Sequence, residues 1–501
     1  MEAVRKAFDD EGYRFVILES PVGSGKSAIA TTLARYYGDS HVLTPKKSLQ
    51  DQYFEDFHQF IHLMKGRSSY PCVWWDATEY DEIARMIYAG GTPSPKITGR
   101  STAEGRCKGG LKRIREECNM AHTCPYELAL GVAQEKDHVV HNLHSFIFQA
   151  AMAFRFSQRE LLVIDECHNV EDICRDLLSR SITVRGKAGQ DFQIPRELIG
   201  EGRNLSPWCN FLSDKQFWPA HVVEREEYLE QVESLLNTGM DNFVVDWKPG
   251  YYGTKFTFIP KHIGGIAHHF MFNFGKRVLL MSGTIYDKAT FCAANGIRQE
   301  EAKFIQVGST FPSKNRPIAY RAKYGVDMSH ARLEDNMPKL KEVITQLLER
   351  FPDKKGLIHS SSYRLAEDLA NLVQSPRIMT HTSENFREKL DEFFASPEPL
   401  VFLSPTCTEG VDFKDDRARW QVILRVPNPN AGDKLTATLM KENYAWYNLK
   451  ALVTFGQQIG RINRSESDFG ITILLDSRFP QFIRRNAGLI PPWLMKAVDI
   501  S

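Results

Sequence analysis

The apolar run Phe15-Val16-Ile17-Leu18 leads into Glu19-Ser20-Pro21-Val22-Gly23-Ser24-Gly25-Lys26-Ser27, and then into a stretch, Ala28–Tyr37, that reads as a helix. Strand, glycine-rich turn and helix in that order form a P-loop. Successive backbone N–H groups at a helix N-terminus can wrap a phosphate, and glycine lets the backbone come close to it. The residues Pro21, Val22, Gly23, Ser24, Gly25, Lys26 and Ser27 form the candidate cradle. Lys26 would reach the β- and γ-phosphates, and Ser27 would ligate Mg²⁺. The eight-residue template opens on glycine, and Ser20 stands in that place. An ordinary glycine turn before a helix is the bland alternative. It does not account for strand, turn and helix all being in register.

A second apolar run, Leu161-Leu162-Val163-Ile164, ends at Asp165-Glu166. An aspartate at a strand's C-terminal end can hold Mg²⁺, usually through water, and the next glutamate can orient or deprotonate the attacking water. Gln457-Gln458-Ile459-Gly460-Arg461-Ile462-Asn463-Arg464 fits Q-x-x-G-R-x-x-R. Read as helical, it puts Arg461 and Arg464 on one face, where two guanidinium groups could meet a γ-phosphate as arginine fingers. A solvent-facing basic helix is the alternative for that segment alone.

Short apolar strands alternating with helices predict a parallel sheet covered on both faces. Further strands are expected at 278–281, 356–359, 400–403, 422–425 and 471–475, with a second α/β series beginning near 286. Residues 176–255 break the pattern with mixed polarity and scattered aromatics, so they read as an insertion. The chain has 501 residues, too many for one core. Its 63 basic and 62 acidic residues leave a net charge of +1, so any basic surface must be local. No apolar run approaches the roughly 20 residues that span a bilayer, and the amphipathic start is not a secretory signal. Nine cysteines without an export signal imply a reducing compartment, where clustered thiols are metal ligands or free thiols rather than disulfides.

Four of those cysteines, Cys72, Cys107, Cys118 and Cys124, fall between the P-loop and the acidic pair. Four thiolates suit a [4Fe–4S] cluster. Tetrahedral zinc accepts the same ligands, but the wide gaps lack its usual paired C-x₂₋₄-C. Four unrelated cysteines are the third reading. Lys96, Arg100, Arg106, Lys108, Lys112, Arg113 and Arg115, near Tyr70, Trp74 and Trp75, suit a nucleic-acid track, since basic side chains follow phosphates and aromatic faces stack bases. A solvated basic loop is the alternative.

Taken together, these motifs resemble the XPD/DinG family of superfamily 2 DNA helicases along nearly the whole chain. Leu43–Gln50 resembles motif Ia, and Val139-Val140-His141-Asn142-Leu143-His144 the segment before the acidic box. Asp165-Glu166-Cys167-His168 resembles a DEAH box with Cys for Ala, and Ser282-Gly283-Thr284 motif III with Gly for Ala. Ser309-Thr310-Phe311 is similar to a signature that follows it. Glu409-Gly410-Val411-Asp412-Phe413 resembles motif V, and Gln457–Arg464 motif VI.

The resemblance implies an α/β fold of two RecA-like parallel-sheet domains with an iron–sulfur insertion and a small helical Arch-like insertion. The expected division is 1–66, 127–175 and 256–285 for the first helicase domain, 67–126 for the iron–sulfur module, 176–255 for the Arch-like insertion and 286–501 for the second helicase domain. It implies ATP and Mg²⁺ held by Lys26, Ser27, Asp165 and Glu166, with Gln457, Arg461 and Arg464 completing the site and Gly410 and Asp412 beside it. It places the cluster on Cys72, Cys107, Cys118 and Cys124. The family's adenine-reading Arg-x-x-Gln segment is not visible before Lys26. The implied activity is ATP-dependent DNA unwinding or single-strand translocation, 5′→3′, on single-stranded, forked or tailed DNA. The expected state is a monomer, with replication or repair proteins as partners, in the cytoplasm or, in a eukaryote, the nucleus. A nucleic-acid-stimulated ATPase that remodels protein–DNA complexes or serves as a partner-binding subunit is the rival.

Overall fold

The computed structural model describes residues 1–74, 76–104, 123–184, 242–250, 253–408 and 411–500. Its first half is built on β1 (Phe15–Glu19), β2 (Ser40–Thr44), β3 (His62–Met64), β4 (His138–Asn142) and β5 (Arg159–Asp165). After β6 (Arg180–Val184), β7 (Phe243–Gly250) and β8 (Gly253–Pro260) come β9 (Gly275–Ser282) and β10 (Ala302–Gln306). The first sheet runs β10-β1-β9-β5-β2-β4-β3, and its pairings are parallel.

The apolar runs alternate faces along each strand. Phe15 and Ile17 join one core with Leu162, Ile164, Val278 and Leu280. Val16 and Leu18 join the other with Leu161, Val163, Leu279 and Met281. Burial on both faces explains why these strands read as continuous hydrophobic runs rather than alternating ones.

The second half carries β11 (Ile318–Tyr320), β12 (Gly356–His359), β13 (Ile378–Met379), β14 (Val401–Ser404), β15 (Trp420–Ile423), β16 (Ile471–Leu474) and β17 (Val498–Ile500). They form a second parallel sheet ordered β13-β14-β12-β15-β16-β11-β17. The two sheets are the two RecA-like domains. Two expected boundaries move. β10 pairs with β1, so the first domain runs past residue 286 to Gln306, because an added outer strand covers the edge that β1 would otherwise expose. The described ends of the insertion form an antiparallel sheet, β6-β8-β7, which continues to Pro260 rather than stopping at 255. The interior of the insertion expected to be helical lies outside the described residues.

That antiparallel sheet touches the second domain as well as the first. Lys434 Nζ donates to the Val245 carbonyl at 2.6 Å, and Lys261 pairs with Glu442 at 3.0 Å. A second junction joins the helix Val170–Leu178, which follows the acidic box, to the helix Tyr444–Ile459. Glu171 is 5% exposed. Its carboxylate accepts from Trp446 Nε1 at 2.8 and 3.0 Å and pairs with Arg175 at 2.6 Å and Lys450 at 2.9 Å. Lys450 also pairs with Asp172 at 2.9 Å.

Candidate active site between the two sheets

The P-loop turns on two glycines. Gly23 (φ +77°) and Gly25 (φ +78°), the latter capping the helix Lys26–Tyr37, occupy the left-handed region that favours glycine. A Cβ on Gly23 would also sit 2.4 Å from Phe311 Cζ, so that ring lies directly on the loop. Ser20, in place of the template's first glycine, is buried. Its hydroxyl donates to Ser24 Oγ at 2.6 Å, and Ser24 Oγ donates to the Pro21 carbonyl at 2.5 Å. The substitution thus adds a side-chain brace inside the loop. Lys26 Nζ donates to the Ser20 carbonyl at 3.1 Å and the Pro21 carbonyl at 3.4 Å. Those are weak neutral acceptors that an anionic phosphate would outcompete.

Asp165 ends β5, 2% exposed, and accepts from Tyr53 Oη at 3.0 Å and from the Glu166 N–H at 2.9 Å. Burial and the neighbouring Glu166 carboxylate push Asp165 above the ordinary carboxylate range, against the pull of Lys26. A dication beside the pair would reverse that balance. Glu166 holds φ +51°, a rare conformation for a non-glycine residue, which swings it off the strand line. His168 sits between the Glu166 carboxylate (3.4 Å) and Ser282 Oγ (2.7 Å), so the acidic box touches motif III. The Ser20 N–H donates to the Ser282 carbonyl at 2.9 Å, tying the P-loop to the same residue.

The second domain closes the other side. Gln457 Nε2 donates to Thr284 Oγ1 at 2.7 Å. Gly456 lies against Tyr286, where a Cβ would fall 2.0 Å from the hydroxyl. The helix expected to carry both arginines ends at Ile459. Arg461 and Arg464 therefore stand on the turn beyond it rather than on one helical face, because Gly460 caps the helix and releases the chain. Arg461 is 5% exposed and donates to the Gln457 and Val411 carbonyls at 2.9 and 3.0 Å and to Gln457 Oε1 at 3.2 Å. Arg464 pairs with Asp412 at 3.0 Å.

One cavity of about 660 Å³ gathers Pro21, Val22, Gly23, Gly25, Lys26, Ser27, Asp165, Glu166, Asp412, Gln457, Arg461 and Arg464. Such a volume suits a small-molecule ligand. Gly410 lies outside the described residues. Tyr53, which donates to Asp165, gave no signal in the sequence, since a tyrosine in an amphipathic helix reads as packing.

Of the four cysteines, the described Cys72 and Cys124 do not line this cleft. Cys72 is buried, and Cys124 is half-buried immediately before the helix Pro125–Glu135. Tyr70 and Tyr126, each two residues from a cysteine, meet edge to face with ring centroids 5.7 Å apart, which draws the two cysteine segments together. Cys107 and Cys118, and Arg106, Lys108, Lys112, Arg113, Arg115 and Trp75, lie outside the described residues. Among the described residues no group of three metal-ligating side chains stands together, and no helix is long and apolar enough to cross a membrane.

The chain matches two family models, the helicase C-terminal domain over residues 344–497 and DEAD_2 over residues 106–186. It is 21% identical to the ATP-dependent DNA helicase YoaA of Haemophilus influenzae, a match covering 97% of this chain and 90% of that protein. It is 22% identical to a Regulator of telomere elongation helicase 1 homolog of Caenorhabditis elegans over 45% of this chain. That match spans only 27% of the nematode protein, so the chain covers about a quarter of that relative's length. Among solved structures, an XPD helicase superposes with a TM-score of 0.65 at 16% identity, covering 100% of this chain and 98% of the other. The S. tokodaii Xpd4 structure gives 0.60 at 14%, covering 100% and 99%. Motif order, cleft geometry and these matches agree in supporting an XPD/DinG-like helicase of superfamily 2, an ATP-hydrolysing enzyme.

Proposed function

We propose that the chain is an ATP-dependent DNA helicase or single-strand translocase in which the cleft between the sheets binds and hydrolyses ATP. The observation that carries this reading is the single cavity shared by the P-loop, the acidic pair and Arg461 and Arg464 from the other domain. In this reading Lys26 releases its loop carbonyls to take the β- and γ-phosphates, and Ser27 and Asp165 hold Mg²⁺. Glu166 accepts the proton of the attacking water. Arg461 and Arg464 lie across the cleft, where they offset the charge spreading over the transferred phosphoryl group. Gln457, bonded to Thr284, reports the state of the site across the domain seam. Opening and closing of the seam would step one strand, 5′→3′ in the family manner.

We assign Cys72, Cys107, Cys118 and Cys124 to a [4Fe–4S] cluster. The Tyr70–Tyr126 contact, which brings the first and last cysteine segments together, supports this. The cluster would brace the basic segment beside the DNA path and supply no chemistry to ATP hydrolysis. The proposed DNA partners are single strands and forked or tailed duplexes. The proposed domains are those expected above, with the insertion carried to Pro260, the first helicase domain ending at Gln306 and the second beginning after it. Unwinding of duplexes tailed at either end tests the reading. ATP-dependent separation of 5′-tailed duplexes is expected. DNA-stimulated hydrolysis with no separation on any substrate would instead favour a remodelling ATPase.

A further inference from the structure

Arg316 precedes β11, and Trp493 lies on the short helix Pro492–Met495 before β17. Because β11 and β17 are neighbours, Ile318 facing Val498, the two residues share one end of the second sheet. They line the same cavity as the P-loop. The Arg316 guanidinium lies over the Trp493 ring, 4.7 Å from its centroid, and donates to the Phe311 carbonyl at 3.0 Å. Phe311 in turn covers Gly23, so a continuous path of contacts runs from the phosphate loop to the indole.

Two donors on this path are left over. The Arg316 Nε–H and Trp493 Nε1–H are both buried and donate to no acceptor. Among the described residues no carboxylate pairs with Arg316, and burial pulls its guanidinium below the ordinary arginine range. Unanswered buried donors are costly and call for an explanation. An inorganic anion could accept from both donors but would leave the indole and guanidinium faces unmatched. A flat heteroaromatic ring answers both, because its ring nitrogens accept N–H bonds and its face stacks on indole and guanidinium alike.

We propose that Arg316 and Trp493 form the nucleobase subsite of the cleft and take the purine ring of the bound nucleotide. The proposal rests on the ATP reading of the cleft. The donors are shielded, so the base enters by parting the Arg316–Trp493 contact and replacing it with stacking and ring-nitrogen bonds. The contact to Phe311 then links base occupancy to the ring that covers the P-loop.

The test uses the full chain and two probes, Mg·ATP and Mg·tripolyphosphate, the second having phosphates but no base. The wild type is expected to bind ATP at least tenfold more tightly than tripolyphosphate. Trp493→Phe keeps an aromatic ring and removes one donor, and it should weaken ATP about three- to tenfold. Arg316→Met should weaken it by more. Both variants should bind tripolyphosphate as the wild type does, which also shows that they are folded. CTP, with a smaller ring, should discriminate less between wild type and variants. Equal losses for ATP and tripolyphosphate would make Arg316 a phosphate ligand and overturn the subsite. Unchanged ATP affinity in both variants, or a wild type that does not prefer ATP, would overturn it too. Lys26→Ala should lose both probes. If it does not, the cleft reading itself fails, independently of Arg316 and Trp493.

Discussion

Replacing Glu171 should uncouple the two domains. Its carboxylate receives four contacts from three side chains: Arg175 at 2.6 Å, Lys450 at 2.9 Å and two from Trp446 Nε1 at 2.8 and 3.0 Å. Lys450 and Trp446 belong to the second domain. Burial alone would raise Glu171, but Lys450 and Arg175 outweigh it and hold the carboxylate down at about 2. Coulomb's law at an effective dielectric of about 20 gives roughly 6 kcal/mol for an ion pair at these distances. Desolvation consumes much of that, and removing one partner of a buried pair costs about 3–5 kcal/mol, because the orphaned charge stays buried. Asp172 still neutralises part of Lys450, which favours the lower end. Glu171→Gln should therefore cost about 3 kcal/mol in guanidinium denaturation. In a double-mutant cycle with Lys450→Met, the two changes should couple by more than about 1 kcal/mol. The ATP KM should rise with them, since this junction holds the motif VI helix against the helix that follows the acidic box. Additivity within about 0.5 kcal/mol would refute the junction as a coupling element.

Four further outcomes follow from the geometry. Lys26→Ala should abolish ATP turnover with the fold intact, and Glu166→Gln should keep ATP binding while blocking hydrolysis. DNA-stimulated ATPase surviving in both would sink the site assignment. Arg461→Ala and Arg464→Ala should lower kcat by about 10³-fold or more, with smaller changes in nucleotide affinity measured by titration; normal turnover in both would make that turn a bystander. Anaerobically purified protein should carry about four irons per chain, the number a [4Fe–4S] cluster requires, and Cys72→Ser or Cys124→Ser should lose them and fail in unwinding before basal ATPase; colourless protein with one zinc would reject the cluster. Finally, His41 Nδ1 and His141 Nε2 are 3.1 Å apart in the first core, and burial pulls His41 down to about 3 and His141 well below its ordinary value. Both are neutral when folded and protonate more readily when unfolded, so their contribution is full above about pH 6.5 and is lost as pH falls below it. Each should cost about 2 kcal/mol at pH 5, seen as a falling denaturation midpoint that His41→Gln partly flattens.

The sheets and the P-loop were legible because a doubly covered parallel strand has one unmistakable pattern, an unbroken apolar run such as Leu161–Ile164 or Leu279–Met281. The acidic pair was legible because it follows such a run directly. What escaped depended on distant pairing. β10 carries Lys303 and Gln306 and looks like a surface segment; only its partner β1 makes it part of the first sheet. The two arginines of motif VI read as helical because a single glycine can also be carried through a helix, and only the structure shows Gly460 acting as the cap. Arg316 and Trp493 stand far apart in the chain and meet through the β11–β17 pairing, which no local pattern announces.

The antiparallel hairpin of the insertion has a mechanical consequence. β7 and β8 pair over eight residues, from Phe243↔Pro260 to Gly250↔Gly253, a rod of about 26 Å at ~3.3 Å per residue. It is rooted in the first domain through β6 and the helix before it, yet its base is gripped by the second domain through Lys434 and Lys261. Any rotation of one domain against the other must either break those two grips or swing the rod. A turn of about 10° at the base moves the tip of a rod this long by roughly 5 Å. The hairpin is thus a lever whose short arm lies at the domain seam and whose long arm is the paired run of β7 and β8.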